Sequence, residues 1–228
     1  MGDLRAVVRL VAFDLDGTLV DSRRDLADSA NQLVVERGGA AHTEHAIGRM
    51  VGEGAALLVR RALEAAGLPY APDALARFLE IYDQRLLNHT RPYEGMPDVV
   101  RLARRFGRVA VLTNKPLAPS LRILEAVGLR DLVDDVIGGD GPQPRKPDPE
   151  ALRSLMTAAG ASPSHTLLVG DSAIDLETAL RAGAHCCLVS FGFGFESVPS
   201  NLPPARVLVA SDVPALYDVV ARFGEGEI

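Results

Sequence analysis

The sequence has few cysteines, and their spacing does not let them act together. Its two thiols, Cys186 and Cys187, are adjacent within the apolar run HCCLVS. Neighbouring cysteines rarely bond each other, and no second pair is present to complete a zinc site. The sequence therefore excludes a disulfide framework and a thiolate zinc centre. We expect both cysteines to be reduced and buried, as in a cytoplasmic protein.

Long apolar runs and an excess of positive charge are also lacking. No segment of about 18 uninterrupted apolar residues is present, so we expect no membrane span. The N-terminus lacks the basic, apolar and small-residue layout of a secretory signal peptide. The net charge is −6 and the isoelectric point about 5.4, which argues against nucleic acid as a partner. We expect a cytoplasmic monomer or homodimer that holds any anionic ligand in a local site.

Lysine is the scarcer of the two basic residues. The sequence has 24 lysine and arginine residues, and only Lys115 and Lys146 are lysines. Each of them lies in a loop that follows a strand-like run. A chain that uses arginine almost everywhere has kept lysine at these two places, so both loops are candidate parts of a site.

Short apolar runs of the buried-strand type recur along the chain. We predict strands at residues 7–13, 109–113, 166–170, 185–190 and 206–210, with a weaker one at 133–138. Helical stretches lie between most of them, at residues 97–106, 117–127, 149–160 and 174–182. This alternation is typical of an α/β fold, with a Rossmann-like parallel sheet covered by helices on both faces.

The interval 20–91 breaks this alternation because it reads as helical throughout. Ser22 and Asp25 resemble a capping box, which would begin a first helix with an apolar stripe. Further helices fit residues 54–66 and 73–87. About seventy residues are too many for a simple crossover, so the interval predicts a small all-helical cap inserted after the first strand.

The cap sets the predicted domain boundaries. We expect a core of residues 1–19 and 92–228 and a cap of residues 20–91, with hinges near Val20 and near residues 91–95. We expect the tail after Phe223 to fray.

Polar side chains follow four of the predicted strands, where the loops of an open parallel sheet form the ligand site. The loops carry DLDGT, then Thr113, Asn114 and Lys115, then RKPDPE, and finally GDSAID. Each loop has an ordinary structural explanation by itself, such as a turn or a helix N-cap. Their coincidence at one edge of one sheet favours a functional site.

These residue types match the needs of phosphoryl transfer, which are a cation, fixed donors and a positioned nucleophile. A hard cation such as Mg²⁺ takes oxygen ligands, which suits Asp14, Asp171 and a backbone carbonyl of the first loop. Lys146 would neutralise a phosphate oxygen, and the Thr113 hydroxyl would donate to another. A carboxylate can act as the nucleophile and form an aspartyl-phosphate.

Taken in order, DLDGT, the strand-end Thr113, Lys146 before Pro147, and GDSAID resemble the four motifs of the haloacid dehalogenase superfamily. The resemblance covers the core from end to end. It implies that Asp14 is the nucleophile. It also implies that Asp16 is the general acid/base, which protonates the leaving oxygen and then activates the hydrolytic water. Because side chains alternate along an extended chain, Asp14 and Asp16 can reach one reaction centre.

The same resemblance implies roles for the remaining motif residues. Thr113, Asn114 and Lys146 would hold the phosphoryl group. Asp175 would steady Lys146 or a water on the metal. The predicted Mg²⁺ ligands are Asp14, Asp16 and Asp171.

Within the superfamily, the sequence favours a phosphatase. Dehalogenases lack an acid at the position of Asp16, and phosphonoacetaldehyde hydrolases need a cap lysine, which residues 20–91 do not contain. The strings LVDS, VGEGAALLVRRAL, LTNKP, VIGGD and FGFGFE resemble the phosphoglycolate phosphatase branch. We therefore expect Mg²⁺-dependent hydrolysis of a small phosphate ester, 2-phosphoglycolate, to glycolate and phosphate through an aspartyl-phosphate.

The string VGEGAALLVRRAL also has a physical interpretation. Gly52 and Gly54, on either side of Glu53, would let a cap loop approach the site closely, and closure would exclude water. Nearby arginines are either partners of a substrate carboxylate or solvated helix charges. These arginines are Arg49, Arg60 and Arg61.

Two other functions stay open on the sequence alone. A hexose-phosphate mutase would pass the phosphoryl group to a sugar hydroxyl, but we recognise no cap residues for a sugar. A non-catalytic phosphate-binding or partner-binding protein on the same fold is the other, since fold alone does not fix function. The four intact motifs argue against it.

Overall fold

The computed structural model describes residues 8–228, which contain a six-stranded sheet and a separate two-stranded one. The strands are β1 (Arg9–Phe13), β2 (Val20–Asp21), β3 (Arg91–Pro92), β4 (Gly107–Leu112), β5 (Asp135–Ile137), β6 (Thr166–Gly170), β7 (His185–Val189) and β8 (Val207–Ala210). The large sheet has the order β5-β4-β1-β6-β7-β8, and all its neighbouring strands are parallel. The predicted α/β class with a parallel sheet is confirmed, and Val7, the first residue of the predicted β1, lies outside the described residues.

Helices fill the intervals between most strands. They are α1 (Arg23–Glu36), α2 (Glu44–Gly48), α3 (Ala55–Ala65), α4 (Ala74–Arg85), α5 (Met96–Phe106), α6 (Leu117–Ala126), α7 (Glu150–Ala159), α8 (Ala173–Ala182) and α9 (Val213–Glu225). The predicted helices agree with these bounds to within two residues, whereas α2 and α9 were not predicted. In the part of the chain that the structure describes, no helix is long and apolar enough to cross a membrane.

The sheet separates two apolar clusters, because alternate residues of each strand point to opposite faces. In β1, Leu10 and Ala12 pack with α7 and α8 on one face. Val11 and Phe13 pack with α5, α6 and α9 on the other face, and this cluster continues into α1, α3 and α4. Burial on both faces explains why the strands read as continuous apolar runs.

The same alternation accounts for the two cysteines. Cys186 belongs to one cluster and Cys187 to the other, and both are free and buried. Burial in apolar surroundings raises the pKa of both thiols, that of Cys187 to about 12. The prediction of reduced, buried core cysteines is confirmed.

The two ends of the predicted cap pair with each other. Val20 lies opposite Pro92 and Asp21 opposite Arg91 in the antiparallel β2–β3 ladder, at the positions where we placed the hinges. The helices between these strands are α1 to α4. The division into a core (1–19 and 92–228) and a cap (20–91) stays a prediction, and "cap" below means residues 20–91.

The capping box predicted at Ser22 and Asp25 is wrong. Ser22 Oγ donates to Asp16 Oδ1 at 2.5 Å, and it makes no capping bond to α1. The Asp25 carboxylate is buried and accepts from the backbone N–H groups of His89 and Thr90. Partners outside α1 have thus replaced the capping contacts, and Asp25 ties α1 to the chain just before β3.

The predicted fraying after Phe223 is also wrong. Helix α9 continues to Glu225, and Gly226 caps it with φ +83°. Gly224 is buried within that last turn and packs so closely against the Phe106 ring that a Cβ at this position would overlap it. Packing against α5 therefore holds the end of the helix.

Candidate active site

Asp14 begins the site directly after β1. Its backbone N–H donates to the Val169 carbonyl at 2.8 Å, which continues the parallel pairing with β6. The chain then turns tightly, since the N–H groups of Leu19 and Val20 both donate to the Leu15 carbonyl. Asp14 and Asp16 consequently line the same pocket, as the alternation of side chains predicted.

Lys146 lies between two buried carboxylates. Its Nζ is 2.9 Å from Asp14 Oδ1 and 2.6 Å from Asp175 Oδ1. Burial disfavours the ammonium, but the two carboxylates outweigh this effect and raise the pKa of Lys146 above its ordinary value. Asp175 Oδ2 accepts from the N–H and hydroxyl groups of Ser172, so Asp175 is fixed at both oxygens. The lysine is therefore held as a cation against Asp14.

Three carboxylates converge beside this lysine. Asp14, Asp171 and Asp175 each place an oxygen within 4.8 Å of the others, and all three are buried. Desolvation raises the pKa of Asp14 to about 6, with Lys146 opposing, and raises the pKa of Asp171 well above its ordinary value, with Asp175 adding to it. When ionised, three carboxylates against one ammonium leave two excess negative charges in a buried place. A divalent cation with oxygen ligands fits this cluster.

Glycines pack closely around Asp171. A Cβ at Gly17 or at Gly192 would overlap the Asp171 side chain, and Gly17 has φ +89°. The Gly194 N–H donates to Asp171 Oδ2 at 2.8 Å. The loop FGFGFE, noted in the sequence only for its resemblance, thus forms one wall of the acidic cluster.

The Asp16 carboxylate lies outside that cluster. Both its oxygens accept from Lys115 Nζ, at 2.9 and 3.0 Å, and Oδ1 also accepts from Ser22. Among residues 8–228, the acidic cluster holds Asp175 where we had predicted Asp16. A metal contact from Asp16 would have to come from its backbone carbonyl.

Lys115 is the site residue to which the sequence analysis assigned no role. Its ammonium is buried, pairs with Asp16 and donates to the Tyr82 hydroxyl at 2.7 Å. It also lies 4.6 Å from the centre of the Tyr82 ring. Burial lowers the pKa of Lys115, but Asp16 and Tyr82 outweigh this and keep it above its ordinary value. The scarcity of lysine was a signal that pointed to this residue without giving it a role.

Thr113 and Asn114 also line the pocket, but they differ in whether a side-chain donor is left for a ligand. Thr113 Oγ1 accepts from the Lys115 backbone N–H at 3.2 Å, which leaves its hydroxyl hydrogen for a ligand. The amide of Asn114 donates to the carbonyls of Gly52 and Lys146, at 2.9 and 3.0 Å. Asn114 therefore has no side-chain donor left for a phosphoryl oxygen, and it ties a cap loop to the core.

The predicted cap residues divide into two groups. Gly52 and Gly54 line the pocket with positive φ, and a Cβ at Gly54 would lie 2.9 Å from an Arg145 nitrogen. Glu53 instead forms an ion pair with Arg61 at the surface. Arg49 lies 4.0 Å from Glu196, with more than half of its side chain exposed. Of these, only the glycines approach the site.

The pocket is lined by core loops and by the cap, and about 580 Å³ of empty space, open solvent included, lies within it and at its mouth. The polar core residues that line it are Asp14, Asp16, Thr113, Asn114 and Lys115. Its other walls are mainly apolar. They include Leu26, Val51, Ala55, Leu58, Phe78 and Leu79.

A carboxylate held against lysine beside an acidic cluster, at the carboxyl ends of parallel strands, is the arrangement that the four motifs predicted. The chain belongs to the haloacid dehalogenase-like hydrolases, whose family model matches residues 8–183. It is a phosphoric monoester hydrolase.

Its relatives narrow this class. A phosphoglycolate phosphatase of Rhodospirillum rubrum is 44% identical over 201 residues, which cover 84% of this chain and 83% of that protein. A phosphoglycolate phosphatase of Pseudomonas putida is 38% identical over 91% of this chain and 78% of its own length. A crystal structure from Haemophilus somnus, described as a predicted phosphoglycolate phosphatase, has a TM-score of 0.81 at 27% identity and covers 97% of this chain and 98% of that one. The predicted resemblance to phosphoglycolate phosphatases is confirmed.

Proposed function

We propose that the protein hydrolyses 2-phosphoglycolate to glycolate and inorganic phosphate, with Mg²⁺ as its cofactor. One observation carries the mechanism: the buried Asp14 lines the pocket and is held against Lys146. The relatives named phosphoglycolate phosphatase support the substrate.

In the first step, the Asp14 carboxylate attacks phosphorus and the bond to the ester oxygen breaks. The electron pair of that bond goes to the leaving oxygen, which takes a proton from Asp16. Lys146 balances the charge of the transferred group, and the Thr113 hydroxyl donates to one of its oxygens. The products of this step are glycolate and an aspartyl-phosphate on Asp14.

In the second step, Asp16 takes a proton from a water molecule, which attacks the phosphorus of the aspartyl-phosphate. The bond between phosphorus and the Asp14 oxygen breaks, so the carboxylate is restored and phosphate leaves. Asp16 regains the proton that it gave up in the first step.

The cation would be held by Asp14 and Asp171, with the Asp16 carbonyl as the backbone ligand. Asp175 would not contact it, because both Asp175 oxygens are committed to Lys146 and Ser172. When bound, Mg²⁺ supplies charge stabilisation to the phosphoryl oxygens in the transition state.

The pocket walls support a small substrate. Leu58 and Phe78 of the cap offer no hydrogen-bonding groups to the several hydroxyls of a sugar phosphate. This argues against the hexose-phosphate mutase, which needs such contacts. A short acid with one methylene group leaves few polar atoms to satisfy.

The first test is phosphate release with Mg²⁺ from 2-phosphoglycolate, hexose phosphates, pentose phosphates, nucleotides and pyrophosphate. We expect the highest kcat/KM for 2-phosphoglycolate and loss of activity with a chelator. Asp14→Asn should lower kcat by about 10⁴-fold or more, because it removes the nucleophile. The exposed Asp218→Asn is the matched control and should retain wild-type activity.

A second measurement tests the intermediate. In Asp16→Asn, p-nitrophenyl phosphate should phosphorylate Asp14, because its leaving group needs no proton, but water should attack slowly. We expect the mass of one phosphoryl group on the Asp14 peptide. If the enzyme prefers another ester in the substrate comparison, 2-phosphoglycolate is not its main substrate, but the proposed mechanism still stands. If neither phosphate release nor a phosphoenzyme is detected, the result would favour a binding protein. A phosphoenzyme that transfers its phosphoryl group to a sugar phosphate would favour the mutase.

A further inference from the structure

We propose that Lys115 binds the carboxylate of the substrate and thereby selects esters that carry one. This inference deepens the proposed function and rests on it. Among the described residues, Lys115 is the cationic side chain that lines the pocket. An ester whose phosphorus reaches Asp14 comes close to Lys146, which contacts that carboxylate at 2.9 Å, so a second anionic group on the ester needs a second cation.

The position of Lys115 suits a carboxylate close to the ester oxygen. Its Nζ is 2.9 and 3.0 Å from the two oxygens of Asp16, the group that delivers a proton to that oxygen. In 2-phosphoglycolate, one methylene carbon separates the carboxylate from the ester oxygen. A cation that contacts Asp16 is therefore within reach of the carboxylate when Asp16 contacts the ester oxygen.

The contacts of Lys115 allow an exchange of partners. Asp16 Oδ1 and Oδ2 both face the ammonium, and Tyr82 accepts its third hydrogen bond. An ammonium has three donors, so all of them are used in this structure. When Asp16 turns to the leaving oxygen it gives up at least one of these contacts, and the substrate carboxylate takes the freed N–H.

The surroundings of Lys115 allow its positive charge to discriminate between substrates. Its side chain is only 5% exposed, and apolar side chains form most of the pocket wall beside it. A phosphate ester with an uncharged substituent would leave an imperfectly paired cation in a low-dielectric place, and a cationic substituent would be repelled there. Tyr82 belongs to α4, so a cap helix positions the lysine that binds the substrate carboxylate.

The arginines that we first considered for this role lie elsewhere. Arg49 is near Glu196, and Arg61 pairs with Glu53. Arg60 lies over the Tyr70 ring, 5.3 Å from its centre. None of the three lines the pocket, in the part of the chain that is described.

The test compares 2-phosphoglycolate with ethyl phosphate, in which a methyl group replaces the carboxylate. The measured quantity is the ratio of their kcat/KM values in wild type, Lys115→Met, Lys115→Arg, Arg60→Met and Arg101→Met. This ratio does not depend on the fraction of folded enzyme or on a general loss of Asp16 chemistry. Arg101 pairs with Asp98 on the surface of α5, so its variant controls for the loss of one positive charge.

We expect Lys115→Met to lower the ratio by about 10- to 100-fold, the size of one charge-assisted hydrogen bond. Lys115→Arg should recover part of it, and Arg101→Met should keep the wild-type ratio. Lys115→Met should also raise the activity on phosphoethanolamine relative to ethyl phosphate, because it removes the repulsion of the amine. An equal loss on all three esters, or a fall in the ratio in Arg60→Met alone, would overturn the assignment. A wild type that prefers a substrate without a carboxylate would instead contradict the proposed function.

Discussion

Gly17 lies so close to Asp171 that no side chain fits between them. Its backbone has φ +89°, a conformation that other residues adopt only at a cost, so the turn alone already favours glycine. The close approach of two loops adds a second requirement, because a Cβ at Gly17 would displace the Asp171 carboxylate. The glycine therefore shapes the acidic cluster as well as the turn.

This role of Gly17 can be separated from its backbone conformation. Gly17→Ala should lower kcat/KM and weaken activation by Mg²⁺, beyond a loss of stability of about 1–2 kcal/mol for the positive φ. Gly38→Ala is the matched control, since Gly38 has φ +85° and no atom lies within 4 Å of the place that the alanine methyl group would take. Urea unfolding and kinetics of both variants check this. Equal losses of activity in the two would contradict a specific contact with Asp171.

The pKa of Asp14 predicts a dependence of stability on pH. In the metal-free protein this pKa is raised to about 6, so the carboxyl group favours folding while it is protonated and loses this contribution as the pH rises through 6. The loss is on the order of 3 kcal/mol between pH 4 and pH 7. In chelator, Asp14→Asn should therefore gain stability over wild type as the pH rises from 5 to 8.

Mg²⁺ should reverse this difference. The cation needs the ionised carboxylate, so it should raise the Tm of wild type more at pH 8 than at pH 5, and should raise that of Asp14→Asn little at either pH. Thermal unfolding of both proteins, with Mg²⁺ and with chelator, measures these differences. A Tm gain from Mg²⁺ that is independent of pH in wild type would contradict the coupling.

The individual site residues were predictable to the extent that they follow strands. Asp14, Thr113 and Asp171 could be placed because each comes directly after a buried apolar run. Lys115 could not be given a role, because its partners are far away in sequence and one of them, Tyr82, belongs to the cap. The sequence likewise did not reveal that Asn114 uses both amide hydrogens on backbone carbonyls.

At the scale of elements, the cap is attached to the core at more than its two hinges. Asn114 joins the loop before α3 to the loop after β4, and Lys115 of that same core loop donates to the Tyr82 hydroxyl of α4. These contacts involve buried groups, whose hydrogen bonds are costly to break. The exposed pair of Arg49 with Glu196 contributes little by comparison. Buried polar contacts therefore join the cap to the core more firmly than this surface pair does in this structure.

The elements themselves followed from apolar periodicity, because β1, β4 and β6 are buried on both faces and α3 to α8 have distinct apolar stripes. The exceptions have physical causes. The five-residue helix α2 is too short to give a period. Ser22 and Asp25 have the spacing of a capping box, but tertiary partners compete successfully for both side chains. Local sequence describes the preference of a segment, and the fold decides between that preference and distant partners.

At the scale of the whole molecule, the distribution of cations explains how an acidic protein can take an anionic substrate. The net charge of −6 repels a phosphate ester at long range. Both lysines of the chain lie buried at one site, one beside Asp14 and the other beside Asp16. Arginine serves mainly at the surface, in pairs such as those with Glu36, Asp73 and Asp98. The cytoplasmic location and the monomeric or dimeric state stay predictions.

Because both lysines lie at this site, the rate at which a reagent acetylates them can measure opening of the cap. Lys115 and Lys146 are the only lysines, both are buried, and ion pairs raise the pKa of each, so an acetylating reagent should modify them slowly in the native protein. The α-amino group provides the internal standard for reagent activity, and unfolding in urea should make both lysines reactive.

Lys115 should react before Lys146, because Tyr82 of the cap covers it, whereas Asp14 and Asp175 of the core hold Lys146. Mg²⁺ with phosphate should slow the reaction at Lys115 by favouring the closed cap, as peptide mass spectrometry can measure. Modification of Lys146 first, or of both at the rate of the α-amino group, would mean that the cap does not control access to the site.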